Sequence, residues 1–239
     1  MTDAPTNPTV TDEILEDCLQ AVQRSADQGH AATAADVGAF AHIPASTAEA
    51  ALQELRARGL LDSNAHGLAL SDEGRRQAAA VIRRHRLSER LLTDVLGLPW
   101  DRVHDEAMRL EHSLTPEAES RLMSLLNDPE TCPHGSPIPG SDGTEVPPTQ
   151  GLDTVPAGAR VRIEQIAEEE AALLRYLASL GLLPKAMLTV EEVAPFGGPL
   201  LVRVGGARYA IGRDVAAKIL VRGDVGPVAR RQRHRRRGR

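Results

Sequence analysis

Apolar residues recur along the first part of the chain at three- and four-residue intervals, the period of a helix with one buried stripe. Ile14, Leu15, Cys18, Leu19 and Val22 place such a helix between Thr11 and Ser25. A shorter one fits TAADVGAFA, with Val37 and Phe40 inward, and the His42-Ile43-Pro44 stretch breaks it. A third begins near Ser46, where Ser46 and Glu49 stand at the spacing of a capping box, each side chain satisfying a backbone donor at the helix start. Its inner face is Ala48, Ala51, Leu52 and Leu55, and Gly59 supplies a left-handed terminator. LLDSNAHGLALS then holds two short apolar runs around an Asn/Gly-containing turn, which predicts a hairpin. Three helices and a hairpin, over residues 11–71, follow the order of a winged helix-turn-helix.

Helical periodicity resumes at Asp72 and runs to Leu96, closed by Gly97. Another helix is predicted over Asp101–Ser113, and a third from Thr115 as N-cap, with Pro116 at the first helical position, to just before Asn127-Asp128-Pro129. The apolar inner faces of these helices make residues 72–130 an all-helical unit suited to a dimer core. Residues 131–156 are dense in Pro, Gly, Ser and Asp and read as a linker. Beyond them the period drops to two in RVRIEQI, MLTVEEVA, LLVRVG and ARYAI, with glycine pairs at 197–198 and 205–206 marking turns and one helix, EEEAALLRYLASLG, interposed. Residues 157–223 are therefore expected to form a small SH3-like β-barrel. The fold class is mainly α and multidomain.

Composition narrows the functions open to this architecture. The 239 residues are 41% hydrophobic and 26% charged, as in ordinary globular proteins, but only 2% aromatic. So few rings argue against a single-strand nucleic-acid reader, which needs aromatic platforms for base stacking. No apolar run reaches the length of a membrane span, and the polar, acidic start is unlike a signal peptide, so a cytoplasmic protein is expected. Cys18 and Cys132 do not make a disulfide framework. The formal charge of −5 averages two unlike parts: the last ten residues, RRQRHRRRGR, carry seven arginines, and without those the balance is −12. Residues 224–239 thus read as a basic arm on an acidic body, suited to phosphate contact or simply solvated.

The chemistry concentrates in HRLSERLLTDVLGLPWDRVHDEAMRLEHSL. His85 and Glu89, four apart, share one helix face, and His104, Met108 and Glu111 follow at spacings of four and three on the next helix, with His112 adjacent. Imidazole, carboxylate and thioether together suit a transition metal. The same spacing also fits ordinary packing, with Met108 filling the core. HExxH, paired CxxC and Walker motifs are absent.

HRLSERLLTDVLGL, VHDEAMRLEHSL and the later TCPHGSPIPG resemble the signature of the diphtheria toxin repressor family, which includes iron- and manganese-dependent regulators. The resemblance covers nearly the whole chain. It implies a winged helix-turn-helix, a helical metal-binding and dimerisation domain and a C-terminal SH3-like, FeoA-like domain. It also implies an ancillary metal site of His85, Glu89 and His104, and a primary site of Met108, Glu111 and His112 completed from the first helix. Iron-type members have Cys where Met108 stands and manganese-type members Asp or Glu, so Met108 fits neither. The first-helix ligand aligns with Ile14, which cannot coordinate; Asp17 is the best substitute, with Glu13 behind it. Gln165 and Glu168 have, in reverse order, the spacing by which some relatives add ligands from the C-terminal domain. The CPHG segment, with Cys132 and His134, resembles a structural turn.

On the same resemblance the third helix is the DNA-recognition helix, presenting Ser46, Thr47, Glu49 and Ala50 after Pro44, with Gln53 as a further base reader. Arg56, Arg58, Asn64 and His66 are candidate backbone contacts, and the arginines of the RRHR run at 83–86 are expected to face solvent. The implied function is a repressor activated by Fe(II) or Mn(II), with up to two sites per subunit, binding a palindromic operator as a homodimer. Two alternatives stay open: a metal-independent winged-helix regulator with a degenerate site, and a metal-dependent hydrolase.

Overall fold

Thr11 accepts a hydrogen bond from the Ile14 amide at 3.3 Å and so caps α1 (Asp12–Asp27), whose apolar stripe of Leu15, Cys18, Leu19 and Val22 is buried. The structure is a computed structural model and describes residues 9–64, 67–140, 148–167 and 170–223. They fall into two units, one of Met1–Pro133 with Pro137–Gly143, the other of His134–Ser136 with Thr144–Arg239. No helix among the described residues is long and apolar enough to cross a membrane.

In the first unit α1 is followed by α2 (Ala34–Phe40) and α3 (Ala45–Ala57). The capping box belongs to α2, where Thr33 and Asp36 exchange bonds, and not to Ser46 and Glu49. Pro44 is the N-cap of α3 and offers no side-chain bond; its carbonyl takes the amides of Thr47 and Ala48 at 2.9 and 3.0 Å instead. Proline's fixed φ sets the entry into the helix, so the hydroxyl is not needed for the start. Strands β1 (Leu61–Asn64) and β2 (Gly67–Leu70) pair antiparallel in the register Leu61 to Leu70, with both leucines buried.

α4 (Asp72–Arg90) starts against the end of α3. Ser71 caps it through Gly74, donates its hydroxyl to the Gly59 carbonyl at 2.8 Å and its amide to the Leu60 carbonyl at 3.0 Å. Gly74 has no room for a side chain: a Cβ there would lie 2.0 Å from the Leu60 oxygen. The single long helix predicted to Leu96 changes winding at Leu91. Leu91–Val95 is a π-helix in which the Leu96 amide reaches the Leu91 carbonyl at 3.1 Å. The helix predicted over 101–113 is likewise two pieces, α5 (Val103–Leu110) and a 3-10 turn, Glu111–Ser113. α6 (Pro116–Leu125) has Thr115 as N-cap and Pro116 in its first turn, as the sequence predicts.

In the second unit six strands form one antiparallel sheet in the order β3 (Gln150–Gly151), β8 (Ile219–Gly223), β4 (Arg160–Ile166), β5 (Met187–Val193), β6 (Leu200–Val204), β7 (Ala207–Ile211). α7 (Ala171–Ser179) and α8 (Arg213–Ala217) are interposed. Alternate strand residues such as Val161, Ile163, Leu188 and Val190 are buried, the pattern of a sheet with one covered face. The proline- and glycine-rich stretch supplies β3, a 3-10 turn at Leu152–Thr154 and the fully buried Leu152. His134–Ser136 joins this unit: the His134 carbonyl accepts the Ile166 amide at 2.9 Å, and a Cβ on Gly135, at φ +90, would lie 2.0 Å from the Glu164 oxygen. That close approach is why the CPHG turn carries glycine.

Candidate metal centre

Two groups of potential ligands lie in the first unit. In the first, one helical turn puts His85 and Glu89 on the buried face of α4, and α5 brings His104 to them; their donor atoms lie within 4.8 Å of one another. His85 Nε2 is 3.4 Å from a Glu89 oxygen and 3.2 Å from His104 Nδ1. Two ring nitrogens so close need a shared proton or a cation between them. Glu89 is only 2% exposed, and an acid so buried is stable when paired with a charge of opposite sign. Burial works against charge on His85, yet the carboxylates of Glu89 and Glu111 overcome it and push its pKa up to about 10.

The second group is Asp17, Glu111 and His112, with donor atoms again within 4.8 Å. Glu111 is fully buried, at 0% exposure, and its two oxygens look in different directions. Oε2 meets His85 Nδ1 at 2.5 Å; Oε1 accepts a hydrogen bond from the Gln20 amide and lies 3.8 Å from His112 Nε2. Burial raises the Glu111 pKa more than His85 pulls it back. His112 sits between two successive acids of α1, with Nε2 3.1 Å from Asp17 and Nδ1 2.8 Å from Glu16. Hydrogen bonds to Asp17 and Glu16 push its pKa up to about 10. The chemistry of these donors, with buried carboxylates and clustered imidazoles, fits a divalent cation in each group.

The structure sorts the predicted ligands. Ile14 packs against the core and Glu13 is exposed, while Asp17 reaches the second group. Met108 is half-buried on α5, one turn before Glu111. Gln165 lies on β4 of the second unit, and Glu168 is outside the described residues. Cys18 points into the core, where burial pushes its thiol up to about 12 and leaves it unreactive.

Glu16, Gln20 and Arg84 escape sequence reading, because nothing local marks a helix-α1 acid as the neighbour of a histidine 96 residues away. The RRHR run is a correction: its arginines do not face solvent. Arg83 bonds Glu119 and the Pro139 carbonyl, Arg84 bonds Glu16 and the Glu111 carbonyl, and Arg86 bonds the Pro137 carbonyl. Long arginines beside carboxylates and free carbonyls find partners even where the helix face reads as polar.

Of the residues expected to contact DNA, Pro44, Ser46, Glu49, Gln53 and Arg56 are exposed along α3, and Ala50 is half-buried. Thr47 is turned into the core. Arg58 is exposed but tied to Glu54 and Asp12. Asn64 ends β1, whereas His66 and the basic arm at 224–239 are outside the described residues.

These features define a class in which a set of three helices and a hairpin adjoins buried ligand groups and the chain continues into a separate small sheet. Comparison with known proteins makes the class specific. Residues 71–140 match the family described as iron dependent repressor, metal binding and dimerisation domain, and residues 151–223 match the FeoA domain. The chain is 40% identical over 167 residues to the iron-dependent repressor IdeR of Mycobacterium tuberculosis, covering 64% of this chain and 72% of that protein. The solved structure of a manganese-dependent transcriptional repressor in complex with manganese superposes with a TM-score of 0.79 at 33% identity, covering 88% of this chain and all of that one. That of T. acidophilum IdeR gives 0.75 at 30% identity, over 91% and 100%. The chain belongs to the iron-dependent repressor family, which includes the diphtheria toxin repressors.

Proposed function

We propose that this protein is a transcriptional repressor activated by a divalent metal, Fe(II) or Mn(II), that binds a palindromic operator as a homodimer. In this reading residues 11–71 bind DNA, 72–130 carry dimerisation and the metal sites, 131–156 connect, 157–223 form the FeoA-type domain and 224–239 are a basic arm. It is a binding protein of the cytoplasm and not an enzyme, in keeping with the repressor names of its relatives. One observation carries the reading: Asp17 of α1 meets Glu111 and His112 of the 3-10 turn.

His85, Glu89 and His104 would hold one ion, and Asp17, Glu111 and His112 the other, with Met108 a soft donor one turn away. A bound cation supplies positive charge that draws the carboxylates together. Asp17 belongs to the DNA-binding helices and His112 to the dimerisation region, so occupancy favours one placement of the first relative to the second. Two recognition helices held at a fixed spacing match two half-sites. Metal and operator must then strengthen each other's binding by the same factor, typically about 5–150-fold. Ser46 and Gln53, exposed on α3, would make phosphate and base contacts.

The test is anaerobic fluorescence anisotropy on the DNA upstream of this protein's own gene, with Fe(II), with Mn(II) and with chelator. Binding that needs metal is the expected result, and the two ions are ranked by it. Equal binding in chelator would leave the winged helix without a sensor and favour the metal-independent alternative.

A further inference from the structure

His112 presents both ring nitrogens to carboxylates of α1, but the two acids are not equivalent. On the Nε2 side stand Asp17 at 3.1 Å and Glu111 at 3.8 Å, the other members of the candidate ligand group. On the Nδ1 side stands Glu16, at 2.8 Å, and its second oxygen is occupied by Arg84 Nη2 at 2.8 Å. The same guanidinium donates from Nε to the Glu111 main-chain carbonyl at 3.0 Å. Arg84 therefore holds Glu16 and the turn that carries His112 at once. A carboxylate already neutralised by a guanidinium is a poor partner for a cation and a good acceptor for an imidazole N–H.

We propose that Glu16 is the positioning residue of the second metal site: anchored by Arg84, it accepts the Nδ1 hydrogen of His112 and so leaves Nε2 as the nitrogen that takes the metal. Partners of this kind fix the tautomer and orientation of a ligating histidine and raise its basicity. Three elements, α1, α4 and the 3-10 turn, are thereby held in register around one imidazole before any ion arrives. The inference rests on the proposal that Asp17, Glu111 and His112 bind metal.

The test uses full-length protein labelled with 15N-histidine and Zn(II), a diamagnetic probe, without DNA. Long-range 1H–15N spectra follow the His112 ring itself, so its titration is separate from that of the other group. In the wild type zinc should shift Nε2 while Nδ1 keeps its proton. Glu16→Ala should weaken zinc binding at His112 by about 10–100-fold, the usual cost of losing an outer partner, and Nδ1 should lose its slowly exchanging proton. Glu16→Gln keeps an oxygen acceptor and should recover most of the affinity and the proton. If Glu16→Ala does not fold, Glu16→Gln and Arg84→Met carry the test, the second by loosening Glu16 and weakening zinc several-fold. Wild-type affinity in Glu16→Ala, no recovery in Glu16→Gln, zinc bound through Nδ1, or an unaltered Arg84→Met would each overturn the proposal. A His112 ring indifferent to zinc in the wild type would instead defeat the metal assignment beneath it.

Discussion

The two ligand groups differ in how much of the fold each needs. His85, Glu89 and His104 come from α4 and α5, neighbours in sequence, and an ion there ties one helix pair together. Asp17, Glu111 and His112 come from α1 and the 3-10 turn, 95 residues apart between Asp17 and His112. An ion there would tie α1 to the turn after α5, and so the proposed DNA-binding helices to the proposed dimerisation region. In the proposed reading the first group would hold its ion and the second would report one. Glu111 keeps the two from being independent, since one of its oxygens faces His85 and the other faces Gln20 and His112.

The contrast can be broken by mutation. His112→Ala should remove metal-stimulated operator binding altogether while the dimer persists in sedimentation; a retained response would place the reporting function elsewhere. Asp17→Asn should weaken the stimulation strongly but not abolish it, because the amide oxygen still coordinates. The anisotropy curve should shift to higher metal concentration without losing its plateau. His104→Ala should cost metal affinity in the first group yet leave a metal response at saturating ion. A dead response there would show that both groups report.

pH sharpens the comparison further. His85 and His112 are both raised to about 10, above the unperturbed value near 6.5. Their contribution to metal-free stability is therefore complete below about pH 6.5 and is lost as pH rises through about 10. The melting temperature of the metal-free protein should fall over that window, and metal affinity should rise, because ligands must shed protons to bind. A flat apparent affinity between pH 7 and 9 would argue that neither histidine is a ligand. The smallest effect expected is from truncation at Gly226, which should lower the salt slope of DNA binding if the arginines touch phosphates.

Much of this was legible in the residues, for reasons that differ by region. Local periodicity finds α1, α4, α6, the β1–β2 hairpin and strands β4 to β7, because each buries one face; it misses β3 and β8, which the sequence reading leaves without a strand. It finds His85 with Glu89 for the same reason. It cannot find the π-helical turn at Leu91 or the 3-10 turn at Glu111, which tertiary packing imposes on sequences that read as continuous helix. Family alignment puts the first-helix position at Ile14, which packs against the core, and the substitute the sequence offers, Asp17, is the residue turned toward His112. The pairing of Arg84 with Glu16 is invisible to any local rule. An exposed-looking arginine reveals its partner only when a distant helix has been placed.

The joint at the start of α4 has a mechanical meaning. Ser71 and Gly74 fasten that helix to Gly59 and Leu60 at the end of α3, with no space for a side chain at Gly74. In the proposed reading the recognition helix α3 and the helix bearing His85 and Glu89 would move as one beam with a welded corner. From Gly74 to Glu89 the beam is about 22 Å long, so a tilt of about 5° at one end displaces the other by roughly 2 Å. A displacement of that size is enough to make or break hydrogen bonds to base edges. Replacing Gly74 by a larger residue would spring the weld and separate the sensing end from the reading end, even with every ligand still in place.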